Sequence, residues 1–369
     1  MSFFTDKWRS PAVSRTLRKA HSLVKQNRYP EAIRLLTKAN SRLHNSEIEI
    51  LLVNLRHESF FHHVPTSSLA SWPPQPDDLY ADQPGIPEID RQDFNATNVA
   101  SGVFNHGSII VRNMLTKDQV SLMRKSIIKT YAQHDKAMAG APETETAPWF
   151  VPFNPAPREG TEAIVERGWY RKGGAELAAD SPRGLFNLIN CLQDAGITDM
   201  VTEYLGERPA LSVRKTSLRQ IPKDLNAENG WHQDGAFLGQ GIRTVNVWIA
   251  LTDCGVDAPS MDMVPRRMTD IVPTGTEGAL MSWTVSQILV EDAAGEDEFL
   301  GAGQTHAAHE AVAAAPAGDE SEFRFRLAEL RVAGGEEEVA GHREFQSPAE
   351  RVALDAGDDG HRERFDPVH

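Results

Sequence analysis

The sequence contains few cysteines and no long uninterrupted run of apolar residues. Cys191 and Cys254 are the only cysteines among 369 residues, and no CxxC spacing is present. A disulfide scaffold or a cysteine-ligated zinc site is therefore excluded as the basis of the fold, and we expect a reducing, cytoplasmic location. No apolar run reaches the ~18 residues that a membrane span needs, so we expect neither a membrane span nor a signal peptide.

Positive charge is scarce toward the C-terminal end of the sequence. Residues 291–369 contain 20 Asp and Glu against 7 Arg and no Lys, a net charge of −13, whereas the whole chain carries −14. The first 290 residues are therefore almost neutral. A neutral body with an acidic end lacks the basic surface that binds phosphate backbones, so we expect no nucleic-acid partner.

The acidic segment also contains no Ile, Trp, Tyr, Met or Asn. This composition favours a poorly ordered tail over packed β-strands, because few side chains are available for burial. We predict four segments in the chain. They are a helical cap (1–62), a proline-rich linker (63–88), a central domain (89–290) and an acidic tail rich in Ala and Glu (291–369).

The first segment has the apolar spacing of two short amphipathic helices, at 14–26 and 30–39. Together they resemble one tetratricopeptide helix pair, and a single pair cannot bury its own apolar face. We therefore expect these helices to cap the central domain. Their outer surface is also a candidate contact for a protein partner.

The central domain begins with a strand and a helix and continues with segments that have strand character. Thr116 is placed to cap a helix that runs through Ile128. Alternating and β-branched stretches then predict strands at 210–221, 231–237, 244–251 and 261–265, with 283–290 as a further candidate.

One short motif within these strands has the composition of a metal site. His232 and Asp234 are separated by a single residue, and in a strand such residues point to the same face. They can therefore chelate one divalent ion. Together they would supply two of the three ligands of the 2-His-1-carboxylate triad, which binds Fe(II) and leaves coordination positions open.

The residues around this motif resemble the phytanoyl-CoA dioxygenase family of Fe(II)- and 2-oxoglutarate-dependent oxygenases. Three stretches carry the likeness: residues 231–237 (WHQDGAF), 244–253 (TVNVWIALTD) and 263–266 (MVPR). The resemblance implies a mixed α/β chain with an all-β core, a cupin-like double-stranded β-helix (jelly roll) over 89–290, preceded by N-terminal helices. It also implies Fe(II) as cofactor, 2-oxoglutarate as co-substrate, and His232 and Asp234 as metal ligands.

Four further residues are candidates for binding the co-substrate. Trp248 and Asn246 share one face of a predicted strand, and Arg219 stands near the end of the preceding strand. Arg324 lies in the alternating segment 323–327, on the side of the sequence where the family places an arginine that clamps the co-substrate carboxylate. For each residue a purely structural role in the core or at a strand end is the alternative.

The third metal ligand departs from the family pattern. His309, with His306 as its substitute, has an acceptable distance from His232, but both lie in a stretch rich in Ala and Glu that suits a loop or helix better than a strand. Three explanations remain open. One of these histidines completes the triad, the core lacks its distal ligand, or the reading frame was altered near residue 291.

These observations together predict an oxidoreductase, a metal-binding dioxygenase that hydroxylates a small organic substrate. One alternative is a degenerate, non-catalytic jelly-roll binding protein that lacks the distal iron ligand. The other is a cupin-like metalloenzyme, such as an isomerase, that uses the same histidine and aspartate without 2-oxoglutarate.

Overall fold

The structure is a computed structural model, and it describes residues 10–62, 68, 73–156, 167–221, 230–233, 245–252, 263–267, 271–282, 284–294, 322–327 and 330–331. The helices are α1 (Pro11–Val24), α2 (Tyr29–Leu43), α3 (Ser46–Phe60), α4 (Ala96–His106), α5 (Lys117–Met138), α6 (Glu143–Thr146), α7 (Arg167–Lys172), α8 (Pro182–Asp194), α9 (Ile197–Leu205) and α10 (Gln287–Ala294). The strands are β1 (Glu88–Asp90), β2 (Ile110–Arg112), β3 (Ala175–Leu177), β4 (Ala210–Leu211), β5 (Ser217–Ile221), β6 (Val247–Ala250), β7 (Glu322–Leu327) and β8 (Leu330–Arg331). None of these helices is both long and apolar enough to cross a bilayer.

Helices α1, α2 and α3 form a packed unit at the N-terminal end of the described chain. Ser10 caps α1 and Asn45 caps α3, each by accepting a backbone N–H of the first turn, which satisfies a donor that the helix leaves unpaired. Leu17 of α1 and Leu36 of α2 are buried in one apolar cluster that also contains Phe186 of α8. The three helices therefore pack directly on the rest of the protein.

A buried ion pair fixes this helical unit to α8. The Glu49 side chain on α3 is completely buried, and it contacts the guanidinium of Arg183 on α8. The amide of Asn40 donates to the same carboxylate at 2.8 Å, and Arg183 donates to the carbonyl of His44, also at 2.8 Å. A buried charge needs such compensation, so the pair makes the position of α3 on α8 specific.

The main sheet is a four-stranded antiparallel sheet in the order β3-β5-β7-β6. Leu218 of β5 and Ile249 of β6 are buried in the large core together with Ile127 of α5 and Leu185 of α8. We call this side of the sheet the core face. Because successive side chains of a strand alternate, Ser217, Arg219 and Trp248 lie on the opposite side, the second face.

The sheets differ from the predicted jelly roll. Besides the four-stranded sheet, β1 pairs with β2 in parallel and β4 pairs with β8 antiparallel. Within the described ranges these three sheets do not form a double-stranded β-helix. The strand predicted at 210–221 is interrupted and becomes β4 and β5, and the described residues 263–267 contain no strand.

The candidate strand at 283–290 is wrong. Val285 makes a single antiparallel bridge with Trp231, and α10 begins two residues later. The hydroxyl oxygen of Ser286 accepts a hydrogen bond from the Leu289 amide at 3.3 Å, as the capping residue of a helix does. A short apolar run fits a buried helix as well as a strand, and the serine cap favours the helix here.

Strands β7 and β8 fall in the segment predicted as a poorly ordered acidic tail. β7 is the third strand of the main sheet, hydrogen-bonded to β5 on one side and β6 on the other. Its sequence, EFRFRL, alternates with the period of a strand. This local alternation accounts for the strand within a segment of unfavourable average composition. The limits of the four segments remain predictions.

We predict that Arg183→Ala destabilises the protein by about 3 kcal/mol, because the change leaves the buried Glu49 carboxylate without its cation. The matched control is Arg28→Ala, which removes an exposed ion pair with Glu31 on α2 and should change stability little. Urea unfolding followed by circular dichroism measures both. Equal losses of stability in the two variants would show that Arg183 does not compensate the buried charge of Glu49.

Candidate metal and co-substrate site

The second face of the main sheet is buried although it lies opposite the core. Ser217 is 0% exposed and Trp248 8%. In the register of the sheet, Arg219 of β5 stands opposite Arg324 of β7, and Arg326 of β7 stands opposite Trp248 of β6. Three of the four residues predicted to bind the co-substrate thus occupy same-face backbone positions on three adjacent strands. Asn246, just before β6, is exposed.

The backbone of β5 is held from the core face by one tyrosine. Tyr131 of α5 is 4% exposed. Its hydroxyl donates to the Leu218 carbonyl at 3.3 Å and accepts from the Gln220 amide at 3.0 Å. These two groups flank Arg219, so the tyrosine fixes the part of β5 that carries the predicted arginine. Burial raises the pKa of the Tyr131 hydroxyl above its usual value, which keeps it protonated and able to donate.

A group of charged residues, of which His134 and Glu176 are buried, supports this tyrosine. The Arg171 guanidinium lies over the Tyr131 ring at 4.3 Å and contacts the carboxylate of Glu176 on β3 at 3.2 Å. His134 of α5 approaches the same carboxylate at 2.5 Å. Burial raises the pKa of Glu176, while His134 and Arg171 oppose that change. The group joins α5, α7 and β3 behind the strand that carries Arg219.

His232 lies in a short segment that is attached to the later part of the chain. The Val285 amide donates to the Trp231 carbonyl at 2.7 Å, and the Trp231 indole donates to the side chain of Gln287 at 3.0 Å. The amide of Val272 donates to the Gln233 side chain at 2.6 Å. Both neighbours of His232 are therefore fixed, and the His232 side chain is half-buried between them.

The imidazole of His232 is oriented by a backbone carbonyl. Its Nδ1 lies 3.2 Å from the carbonyl oxygen of Gly230, and a carbonyl can only accept, so this contact assigns the proton to Nδ1. Gly230 has φ +66°, and a side chain there would approach Thr284 at 2.7 Å. Glycine at this position therefore allows both the positive φ and the close approach of this segment to Thr284.

The other predicted metal ligands fall outside the part of the chain that the structure describes. Asp234, His306 and His309 lie outside the described residues. Among the residues that are described, no group of three His, Cys, Asp or Glu comes together in a way that could hold a metal. The three-ligand site stays a prediction.

Sequence reasoning missed the residues that support the site from the core face. Tyr131 and His134 are spaced one helical turn apart on α5, a pattern that indicates burial but not a contact with β5. Glu176 stands in a three-residue strand with no motif around it. Only the packing of α5 against β3 and β5 brings these residues together.

A comparison with known protein families finds a match over the region that contains His232 and the strands β5 and β6. The model of the family phytanoyl-CoA dioxygenase (PhyH) matches residues 105–269. These residues are therefore similar to that family, and the resemblance seen in the sequence is confirmed. Members of the family are typically Fe(II)- and 2-oxoglutarate-dependent oxygenases with a cupin-type jelly-roll fold. The comparisons with curated proteins and with solved structures found no match.

The matched range divides the predicted site residues into two groups. His232, Asp234, Arg219, Trp248 and Asn246 lie within it. The distal residues lie beyond it, namely His306, His309 and Arg324. The match therefore covers the first half of the predicted site.

We predict that Tyr131→Phe destabilises the protein by about 1 kcal/mol, because two buried hydrogen bonds to β5 are lost. The matched control is Tyr80→Phe, since the Tyr80 hydroxyl is buried but has no hydrogen-bond partner; its removal should not destabilise. Urea unfolding compares the two variants with the wild type. An unchanged free energy of unfolding in Tyr131→Phe would show that the tyrosine does not hold β5.

Proposed function

We propose that the chain is an Fe(II)- and 2-oxoglutarate-dependent dioxygenase that hydroxylates a small organic substrate in the cytoplasm. The observation that carries the proposal is the family match, which includes the histidine–aspartate motif of residues 232–234. The buried second face of the main sheet supports it, because it brings predicted co-substrate residues onto adjacent strands.

His232 and Asp234 are the proposed metal ligands, with His309 as the third ligand and His306 as its substitute. His232 fits this role, since the Gly230 carbonyl lies 3.2 Å from its Nδ1 and fixes the orientation of the imidazole. Histidines that bind metals usually donate their other N–H to a carbonyl or carboxylate in this way.

Arg219, Arg324, Trp248 and Asn246 are the proposed co-substrate residues. A guanidinium holds a carboxylate by parallel N–H bonds, and this attraction is stronger on a buried face than in water. The proposed fold is a double-stranded β-helix in which the core face is covered by α5 and α8 and the second face lines the pocket.

Bound Fe(II) with 2-oxoglutarate would supply the oxidation, in which dioxygen yields a substrate hydroxyl group and succinate, with loss of CO₂. The contribution of the chain is to hold the co-substrate carboxylate, to fix the orientation of His232, and to exclude water from the pocket.

We predict that the wild-type protein, mixed with Fe(II) and 2-oxoglutarate without oxygen, shows a weak absorption band in the visible region. With oxygen it should convert 2-oxoglutarate to succinate. Asp234→Ala should abolish both signals, because one carboxylate ligand is lost. The control Asp77→Ala, at an exposed position, should retain both.

Two results would contradict this function. A wild-type protein that binds no iron and shows no band is not an oxygenase of this class. Iron binding without any succinate formation would instead support the non-catalytic jelly-roll protein.

A further inference from the structure

A buried hydroxyl group on the second face has no hydrogen-bond partner. Ser217 on β5 is 0% exposed, and its Oγ lacks a partner.

Among the described residues, Tyr80 and Ser108 also have buried hydroxyls without a partner, but neither residue belongs to a strand of the main sheet. Ser126 on α5 is as buried as Ser217, and its hydroxyl donates to the Leu122 carbonyl at 2.8 Å and accepts from Asn187 at 3.0 Å. A buried polar group without a partner costs about 1–3 kcal/mol. Such groups therefore persist mainly where a ligand or an ordered water satisfies them.

The position of Ser217 favours a ligand over an ordered water as the partner of its hydroxyl. Ser217 and Arg219 are two residues apart on β5, so their side chains leave the same face about 7 Å apart. Ser217 stands opposite Arg326 of β7, which stands opposite Trp248 of β6, so Ser217 and Trp248 are separated by about 10 Å across the sheet. The three residues outline an area suited to a small dicarboxylate.

We propose that Ser217 is a further binding residue for 2-oxoglutarate, whose hydroxyl donates to a carboxylate oxygen held by Arg219. This assignment rests on the proposed function. An O–H donor beside a guanidinium adds a charge-assisted hydrogen bond to the carboxylate. The hydroxyl is unsatisfied in the ligand-free protein because its partner is the co-substrate.

The substitution Ser217→Ala tests this role by binding and by stability together. Calorimetric titration with 2-oxoglutarate in the presence of Fe(II), without oxygen, should give a Kd about 10-fold higher than in the wild type. The Kd for Fe(II) alone should not change. Without ligands, the melting temperature should stay the same or rise, because a buried hydroxyl without a partner is removed.

Ser126→Ala is the matched control, since it removes an equally buried serine whose hydrogen bonds are made inside the protein. It should lower the melting temperature and leave the Kd for 2-oxoglutarate unchanged. A wild-type Kd in Ser217→Ala would overturn the proposal, and so would a fall in melting temperature as large as that of Ser126→Ala. Failure of the wild type itself to bind 2-oxoglutarate would be recognised separately, as failure of the proposed function.

Discussion

The position of β5 is set by its pairing with β3 and β7 and by two hydrogen bonds between the Tyr131 hydroxyl and its backbone. A strand between two buried layers has no solvent to satisfy its polar groups, so its position is set by the partners that the protein supplies. Here the helix α5 supplies one partner from the core face. The alternation of the strand then directs Ser217 and Arg219 to the other side, so the same contacts place both candidate binding residues.

Helix α8 connects the core beside the main sheet with the N-terminal helices. This helix contributes Leu185 to the core and Phe186 to the cluster of the N-terminal helices. Arg183 at its beginning compensates the buried Glu49. The N-terminal helices therefore stabilise the helix that packs against the core face of the sheet.

The sequence predicted the strand around Trp248, because the spacing and composition of a strand are local properties. The metal site of residues 232–234 stays a prediction. The division of 210–221 into β4 and β5 was not predicted, since each part pairs with a strand far along the chain, β4 with β8 and β5 with β7. The unsatisfied hydroxyl of Ser217 leaves no sequence signal either, because a lone serine on a strand is ordinary.

The order of strands in the main sheet has a consequence for biosynthesis. β6 joins β5 only through β7, and β7 is made more than 70 residues after β6. A nascent chain that has reached residue 300 therefore contains β5 and β6 but not yet β7, the strand that lies between them. Pairings of such large sequence separation form slowly, and unpaired edges are prone to aggregation before they form. The main sheet is thus completed only after β7 has been made, which places the pairing of the second face late in folding.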